Sequence, residues 1–147
     1  MSWEQFMLES NKIEGEDRTN PGDRDAFMMA MSGIECEGEI LEMHKLLGEY
    51  LNEDWVGRYR TVDVRVGKFV PVGHTLVPAM MKDFVKRLPR MDAWTAHNRF
   101  EEIHPFEDLN GRVGRLIWLS KMGRMPTIPF LQLYYYQTLE KFENRMI

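Results

Sequence analysis

Residues 100–115, FEEIHPFEDLNGRVGR, constrain the fold of this chain more than any other segment. Pro105 stands where a helix could not continue, Asn110 and Gly111 are typical turn residues, and residues 113–119 are apolar at helical spacing. The pattern predicts a loop that opens into a helix. Unpaired backbone N–H groups and the positive end of the helix dipole would then point at one place, which suits a phosphate.

The side chains around this predicted site are those that phosphoryl or nucleotidyl transfer requires. His104 is the candidate general base, because its unperturbed pKa lies near neutral pH. Asp108 is the candidate Mg²⁺ ligand, together with substrate phosphates. Arg112 and Arg115, three residues apart on one helix, are suited to clamp neighbouring phosphates. Taken singly, each has a simpler explanation as a structural histidine, a turn residue or a solvated helix face. Their occurrence in one short segment favours the chemical interpretation.

The segment from His104 to Arg115, HPFEDLNGRVGR, resembles the signature of the Fic family, His-Pro-Phe-x-Asp-Gly-Asn-Gly-Arg-x-x-Arg. The resemblance implies a mostly α, Fic-type helical bundle with one β-hairpin flap over the active site, in which His104 is catalytic and Asp108 binds Mg²⁺. The nucleotide-binding residues that it implies are Asn110, Gly111, Arg112, Gly114 and Arg115. Leu109 departs from the signature where Gly relaxes a tight backbone, so either Leu109 is strained or the loop differs slightly.

Residues 2–14 carry apolar side chains at helical spacing and predict a short amphipathic helix that stops at Gly15. Ser10 and Glu14 lie four residues apart and therefore on the same face. Periodicity alone leaves both as ordinary surface residues. The sequence SNKIEG, which starts at Ser10, is however similar to the inhibitory motif Ser/Thr-x-x-x-Glu-Gly/Asn of one class of Fic proteins. That resemblance implies that Glu14 pairs with Arg115 and competes with a phosphate for the same guanidinium donors.

Residues 55–72 change from helical spacing to alternation of valines with polar residues, followed by a turn at Gly67 and Lys68. This pattern predicts a β-hairpin, the only strands expected in the chain. Residues 59–67, YRTVDVRVG, are also similar to the Fic flap, which pairs with an extended segment of the target and holds its hydroxyl near the catalytic histidine. The docking residues that this implies are Thr61, Val62, Asp63, Val64, Arg65 and Val66. A purely structural hairpin is the alternative.

The remaining apolar patterns predict further helices, and Gly33 and Gly38 are expected to divide the first of them. The predicted helical segments are 25–51, 77–88, 92–103, 112–122 and the final segment 130–147. His44 and His97 lie inside apolar patterns, which favours a packing role for both.

Composition fits one domain of 147 residues, with 44% hydrophobic and 29% charged residues. Its expected parts are an inhibitory helix over 1–16, a flap over 58–73, and the signature loop with its helix over 100–122. A net charge of −4 disfavours binding to nucleic acid. The single cysteine, Cys36, cannot form an intramolecular disulfide, and the chain has no leader-like or membrane-spanning segment. A cytoplasmic protein is therefore expected.

The implied reaction is transfer of AMP from ATP to a Ser, Thr or Tyr hydroxyl of a target protein, and the chain itself is one candidate target. The resemblance implies that the Glu14–Arg115 pair restrains this reaction. Two alternatives stay open: removal of AMP from a modified protein at the same site, and a nucleotide-binding or partner-binding module with impaired catalysis. Apolar helix faces also leave a homodimer open.

Overall fold

The computed structural model of this chain describes residues 2–125. Within that range the regular structure is helical, so the predicted mostly α fold is confirmed. The α-helices are α1 (Trp3–Ile13), α2 (Asp23–Met31), α3 (Glu37–Gly48), α4 (Val77–Arg87), α5 (Ala93–Ile103) and α6 (Asn110–Met122). Short 3-10 turns at Glu49–Leu51, His74–Leu76 and Leu88–Arg90 extend or precede these helices.

Helix α1 begins with a capping box, which fixes its first turn. Ser2 Oγ accepts the Gln5 N–H at 3.2 Å, and Gln5 Oε1 accepts the Ser2 N–H at 2.8 Å. Its inner face starts with Phe6 and Met7, both fully buried in the core, and continues into the buried polar side chain of Ser10. The helix therefore presents apolar residues to the core and polar residues to α6.

The chain after α1 folds around the buried carboxylate of Asp23 at the start of α2. Asn11 Nδ2 donates to Asp23 Oδ2 at 2.9 Å and to the carbonyl oxygen of Arg18 at 2.8 Å, and the same Asp23 oxygen accepts the Asn20 N–H at 2.8 Å. These bonds replace water for groups that lie inside the protein. They fix the C-terminal end of α1 relative to α2.

Helices α5 and α6 form the most extensive helix pair and carry the signature loop between them. Asp92 caps α5 by accepting the Thr95 N–H at 2.7 Å, as its position before the apolar run predicts. Phe100 and Ile103 of α5 and Leu116 of α6 are each at most 1% exposed. Burial of one side chain of this size stabilises the fold by roughly 1.5–3 kcal/mol relative to exposure. The loop is thus held at both ends by the core.

Several predicted boundaries shift by a few residues. Helix α2 starts at Asp23 rather than at residue 25, and α3 starts at Glu37, so that Gly38 lies in its first turn and does not divide it. Helix α6 starts two residues earlier than predicted, at Asn110. The predicted final helix at 130–147 lies outside the described residues.

The predicted β-hairpin is wrong in extent. Within residues 2–125 there is no named strand, and residues 58–73 contain one antiparallel bridge between Val66 and Phe69, whose backbone groups exchange hydrogen bonds of 2.8 and 2.9 Å across the turn. A single pair without a supporting third strand is too small to form a sheet. The rest of the segment is irregular backbone held by side chains, as described below.

None of the helices in the described part of the chain combines the length and apolar character that crossing a lipid bilayer requires.

Candidate active site

His104 ends α5 in an unusual backbone conformation. It adopts left-handed dihedral angles, φ 49° and ψ 61°, while its N–H still donates to the Phe100 carbonyl at 2.9 Å. A non-glycine residue persists in this region only when its surroundings hold it there. One such contact comes from the flap segment, where Arg60 Nε donates to the His104 carbonyl at 2.7 Å. The conformation turns the chain sharply from the helix into the signature loop.

The loop is anchored by Phe106 and Asn110. The Phe106 N–H donates to Asn110 Oδ1 at 3.0 Å, and Asn110 Nδ2 donates back to the Phe106 carbonyl at 2.8 Å. Phe106 is fully buried and stacks on His44, with ring centroids 3.7 Å apart and planes 5° from parallel. Both polar atoms of the Asn110 side chain are thus engaged with the loop. Its predicted contact with nucleotide would come from its backbone N–H at the start of α6.

His44 fixes the loop from α3. Its Nδ1 accepts the Gly57 N–H at 2.9 Å, so its Nε2 carries the hydrogen and donates to the Asp108 carbonyl at 3.0 Å. Burial lowers the pKa of His44 to about 4, which keeps the ring neutral at neutral pH. The packing role predicted for His44 is present, and so is a positioning role that periodicity could not reveal.

His97 has the packing role that its sequence position predicts, because it is buried between α5 and α6. Its Nδ1 lies 2.9 Å from the Gly114 carbonyl, which joins α5 to α6, and burial lowers its pKa to about 4.

Leu109 adopts left-handed dihedral angles, φ 69° and ψ 11°, directly before α6. Of the two outcomes expected for this departure from the signature, the chain therefore shows the strained one. The side chain is 5% exposed and packs on Gly48 of α3, where a Cβ atom would lie 2.8 Å from Leu109 Cδ1. Core burial of Leu109 offsets its backbone strain, and Gly48 provides the space.

Arg115 is enclosed by the N-terminal helix. Its side chain is 1% exposed, Nε donates to Ser10 Oγ at 2.6 Å, and Nη2 donates to the Ser10 carbonyl at 3.1 Å and to Glu14 Oε1 at 2.7 Å. The structure thus brings together Ser10, Glu14 and Arg115, which the sequence places about a hundred residues apart. Charge-assisted bonds of this length are the stronger class of hydrogen bond.

The Glu14 carboxylate also covers the first turn of α6. A Cβ atom at Gly111 would lie 2.7 Å from Glu14 Oε1, so the carboxylate approaches the backbone more closely than any side chain there would allow. A negative group at a helix N-terminus is favoured by the unpaired N–H groups and by the helix dipole. The Glu14 carboxylate therefore lies beside the start of α6, where the sequence predicts a phosphate to bind.

Arg112 has a carboxylate partner that the sequence reasoning missed. Its Nη2 lies 3.2 Å from Glu16 Oε1, and the same carboxylate accepts from Tyr50 Oη at 3.2 Å and from Asn20 Nδ2 at 3.1 Å. Although partial burial opposes it, hydrogen bonds and the guanidinium hold the pKa of Glu16 below its usual range. The sequence shows Glu16 only as a second acidic residue just past the predicted helix, and this position does not indicate which residue it contacts.

His104 is neutral at neutral pH and partly accessible. Burial, reinforced by the positive charge of Arg60, lowers its pKa, and 19% of its side chain is exposed. A neutral imidazole can accept a proton, which general-base catalysis requires.

Asp108 is exposed, and its Oδ1 accepts the Leu109 N–H at 2.7 Å. Across residues 2–125 no hydrogen bond reaches its second oxygen. No cluster of three or more metal-ligating side chains occurs in this part of the chain either. A single exposed carboxylate fits Mg²⁺, which binds through one or two carboxylates and substrate phosphates rather than through a protein cage.

The flap segment is tied to the signature loop by Arg60, which sequence reasoning also missed. Arg60 is 2% exposed, and besides the His104 carbonyl its guanidinium reaches the carbonyls of Val62, Val72 and Ile103. Its own N–H donates to the Pro105 carbonyl at 2.8 Å. The predicted docking residues, 61–66, follow directly and are mostly exposed. Among them Asp63 accepts from the N–H of His74 at 2.9 Å, which closes the far arm of the flap.

The chain is a helical bundle in which the loop between α5 and α6 carries a histidine at one end and a predicted anion site, the N-terminus of α6, at the other. This arrangement is what a family comparison can test. The Fic/DOC family model matches residues 35–120, more than half of the chain. The chain belongs to the Fic/DOC family.

Curated relatives carry the name protein adenylyltransferase. The chain is 38% identical over 88 residues to protein adenylyltransferase fic-1 of Caenorhabditis elegans, which covers 54% of this chain and 17% of that protein. It is 31% identical over 102 residues to protein adenylyltransferase Fic of Aedes aegypti, which covers 61% of this chain and 20% of that protein. The chain thus spans about a fifth of the length of these relatives.

Solved Fic structures share the fold. A Fic domain containing signalling protein from Bacteroides thetaiotaomicron superposes with a TM-score of 0.67 at 19% identity, over 91% of this chain and 70% of that one. Fic-1 from C. elegans superposes with a TM-score of 0.63 at 25% identity, over 83% of this chain and 42% of that one.

Proposed function

We propose that this chain is a protein adenylyltransferase that inhibits itself through Glu14. The observation that carries the proposal is the Glu14 carboxylate, which lies over Gly111 at the N-terminus of α6 and 2.7 Å from Arg115 Nη2. A helix N-terminus beside a guanidinium that binds a carboxylate is also suited to a phosphate. Arg115 cannot meet a substrate phosphate while Ser10 and Glu14 enclose it.

The proposed reaction moves AMP from ATP to a Ser, Thr or Tyr hydroxyl of a protein. The hydroxyl oxygen forms a bond to the α-phosphorus, the bond from that phosphorus to the bridging oxygen of the β-phosphate breaks, and pyrophosphate leaves. His104 accepts the hydroxyl proton. Backbone N–H groups of Asn110 and Gly111 receive phosphate oxygens, the helix approaches the nucleotide closely at Gly114, and the two signature arginines bind the β- and γ-phosphates. Placement and charge stabilisation supply the catalysis.

Asp108 is the residue that would hold Mg²⁺ with the phosphates. Its carboxylate is exposed, and one of its oxygens accepts the adjacent Leu109 N–H, so its donor chemistry fits a hard cation. The bound ion would neutralise charge on the α- and β-phosphates. The residues of the chain position the nucleotide and take the proton.

The target protein is proposed to dock on the flap. Val62 is 44% exposed and Val66 38% exposed, although their apolar side chains would be more stable out of water. An extended target segment beside residues 61–66 would cover these valines and bring its hydroxyl towards His104. The hydrogen bond from Arg60 to the His104 carbonyl keeps the flap next to this histidine. Other copies of this chain are candidate targets, and a homodimer would cover the exposed Met28 and Met31 of α2.

The chain is proposed to act as one Fic domain over residues 1–147, with residues 1–16 inhibitory, 58–73 forming the flap and 100–122 forming the site. A cytoplasmic location is proposed, which the single and exposed Cys36 supports, because a free thiol suits a reducing compartment.

The test compares wild type, Glu14→Gly and His104→Ala with α-labelled ATP in a host lysate, followed by mass identification of modified residues. We expect Glu14→Gly to raise labelling by at least about tenfold, because it frees Arg115 for phosphate, and His104→Ala in that background to abolish it. Asp17→Asn is the matched control, because Asp17 is 86% exposed and its ion pair within residues 2–125 is with Lys12 at 3.7 Å.

Unchanged labelling in Glu14→Gly would contradict the inhibitory role of Glu14. Release of AMP from a modified protein by wild type but not by Glu14→Gly would indicate the reverse reaction. Tight ATP binding by Glu14→Gly without any transfer would indicate a binding module.

A further inference from the structure

Glu101 is a buried acidic residue that the proposed reaction does not yet use. It lies in the last turn of α5, one helical turn before His104, and only 11% of its side chain is exposed. Its Oε1 is buried and has no hydrogen-bond partner in the described part of the chain. A buried carboxylate oxygen without a partner is destabilising, so its position calls for a physical reason.

Helix α6 leaves space for this carboxylate at Gly114. A Cβ atom on Gly114 would collide with Glu101 Oε1 and would lie 3.2 Å from His97 Cε1. The absence of a side chain at Gly114 therefore allows the Glu101 carboxylate to lie between the two central helices. This packing fixes the carboxylate beside the signature loop.

The ring of His104 lies close to the Glu101 carboxylate. His104 Nδ1 is buried, has no hydrogen bond within residues 2–125, and lies 3.9 Å from Glu101 Oε2. The main-chain carbonyl of Glu101 also faces this ring. A shift of about 1 Å would bring the carboxylate within hydrogen-bond range of Nδ1, and such bonds commonly shorten when a substrate binds.

We propose that Glu101 is a positioning residue for His104, whose Nδ1–H it accepts so that Nε2 faces the target hydroxyl. The positioning role of Glu101 rests on the proposed AMP transfer. The contact between Glu101 and His104 Nδ1 does not depend on that reaction. During the reaction the hydroxyl proton moves to Nε2, the Nδ1 proton stays on its nitrogen, and the Glu101 carboxylate balances the charge of the imidazolium. A carboxylate that orients a catalytic histidine acts in the same way in hydrolase triads.

The charges around Glu101 make its ionisation sensitive to neutral pH. Burial raises the pKa of Glu101 to about 7; Arg115 on α6 opposes this shift, and Glu14 after α1 reinforces it. His97 faces the same point from α5, and Arg60 and Asp108 act on His104. Removal of Glu14 therefore lowers the pKa of Glu101 and favours the carboxylate that the proposal needs.

The contact is tested by ring ¹⁵N spectra of the histidines in the full chain at about pH 8, above the pKa of Glu101. His104 is assigned by the loss of its signals in His104→Ala. We expect the Nδ1–H tautomer in wild type and its loss in Glu101→Leu, which has a similar volume and no acceptor. Glu102→Gln is the control, because Glu102 is the next residue and pairs instead with Arg99 at 2.9 Å. If His104 keeps the same tautomer in Glu101→Leu, the main-chain carbonyl holds the ring and the proposal is wrong.

The role is tested by the pH profile of self-labelling with α-labelled ATP in the Glu14→Gly background. We expect kcat to rise with pH as Glu101 ionises, and Glu101→Gln to remove this rise and lower kcat by at least about tenfold, with the KM for ATP unchanged within about twofold. A profile that coincides with that of the parent, or a KM that rises as much as kcat falls, would overturn the role. If Glu14→Gly transfers no label, the proposed reaction fails, while the tautomer comparison still decides the contact.

Discussion

Both signature arginines meet a carboxylate from the N-terminal part of the chain. The Glu14–Arg115 contact follows a motif that resembles a known one, so sequence could point to it. The Glu16–Arg112 contact could not be predicted, because Glu16 lies beyond the end of α1 and its position depends on Tyr50 and Asn20. Spacing along a helix predicts neighbours on that helix only, and tertiary contacts of a turn residue need the folded chain.

Removal of the Glu16 charge is expected to strengthen nucleotide binding beyond the effect of Glu14→Gly. In that background Glu16→Gln leaves Arg112 without its carboxylate partner at 3.2 Å, so ATP should bind about three- to tenfold more tightly, which corresponds to about 0.7–1.4 kcal/mol. Titration calorimetry with ATP and Mg²⁺ measures the change, with Asp17→Asn as the control. An unchanged Kd would mean that Arg112 does not contact phosphate in the complex.

Leu109 has a backbone conformation that usually requires glycine, and a contact from a distant part of the chain makes it possible. Because the signature has Gly there, the sequence predicts either strain at Leu109 or a slightly different loop. The folded chain compensates through a contact between α3 and the loop, in which Leu109 packs where Gly48 lacks a side chain. The two residues are 61 positions apart, and no pattern within either segment relates them.

At the scale of elements, the flap differs most from what its sequence predicts. Alternating valines indicate a strand, but a strand also needs a neighbour that pairs with it. Only the bridge between Val66 and Phe69 forms, and the arms of the flap are held instead by the carbonyl contacts of Arg60. The helices, in contrast, make their hydrogen bonds within one segment, and several of their boundaries were predicted within two residues.

Replacement of Arg60 is expected to release the flap without unfolding the bundle. Arg60→Lys keeps the charge but loses the planar fork that reaches several carbonyls at once. The amides of Val66 and Phe69, which bond to each other across the turn, should then exchange hydrogen at least about tenfold faster, because each buried carbonyl left unpaired is destabilising by about 1–3 kcal/mol. Hydrogen exchange with mass spectrometry measures this, with the exposed Arg58→Lys as control.

Exchange in α6 reports whether Arg60→Lys acts locally. Faster exchange there as well as in the flap would indicate global destabilisation instead of flap release. An unchanged flap would show that other contacts hold it.

At the scale of the whole molecule, the fold could be predicted because its helices and its signature each leave a local trace in the sequence. The candidate site could be predicted only in part. His104, Asp108 and the arginines are recognisable by type and spacing, whereas the residues that hold them, His44, Arg60 and Glu101, come from elsewhere in the packing. Residues that position a site need only be near it in space, so their sequence positions follow no motif.

The burial of Glu101 should make the free energy of unfolding depend on pH. Burial raises the pKa of Glu101 to about 7, above its usual value, so the folded state binds the proton more tightly and gains stability as pH falls below about 7. Above pH 7 the buried charge is destabilising. Glu101→Gln, which carries no charge, should therefore be more stable than wild type at about pH 8 by about 1–3 kcal/mol, and this difference should shrink towards pH 5.

Urea unfolding between about pH 5 and pH 8 measures that difference, with Glu102→Gln expected to stay within about 0.5 kcal/mol of wild type. If Glu101→Gln is instead less stable at the higher pH, the carboxylate stabilises the fold, and its attraction to Arg115 outweighs burial. A gain in stability together with a loss of kcat would mean that the chain keeps a destabilising charge beside His104. Natural chains retain such a charge where function needs it, and the fold alone would favour the glutamine.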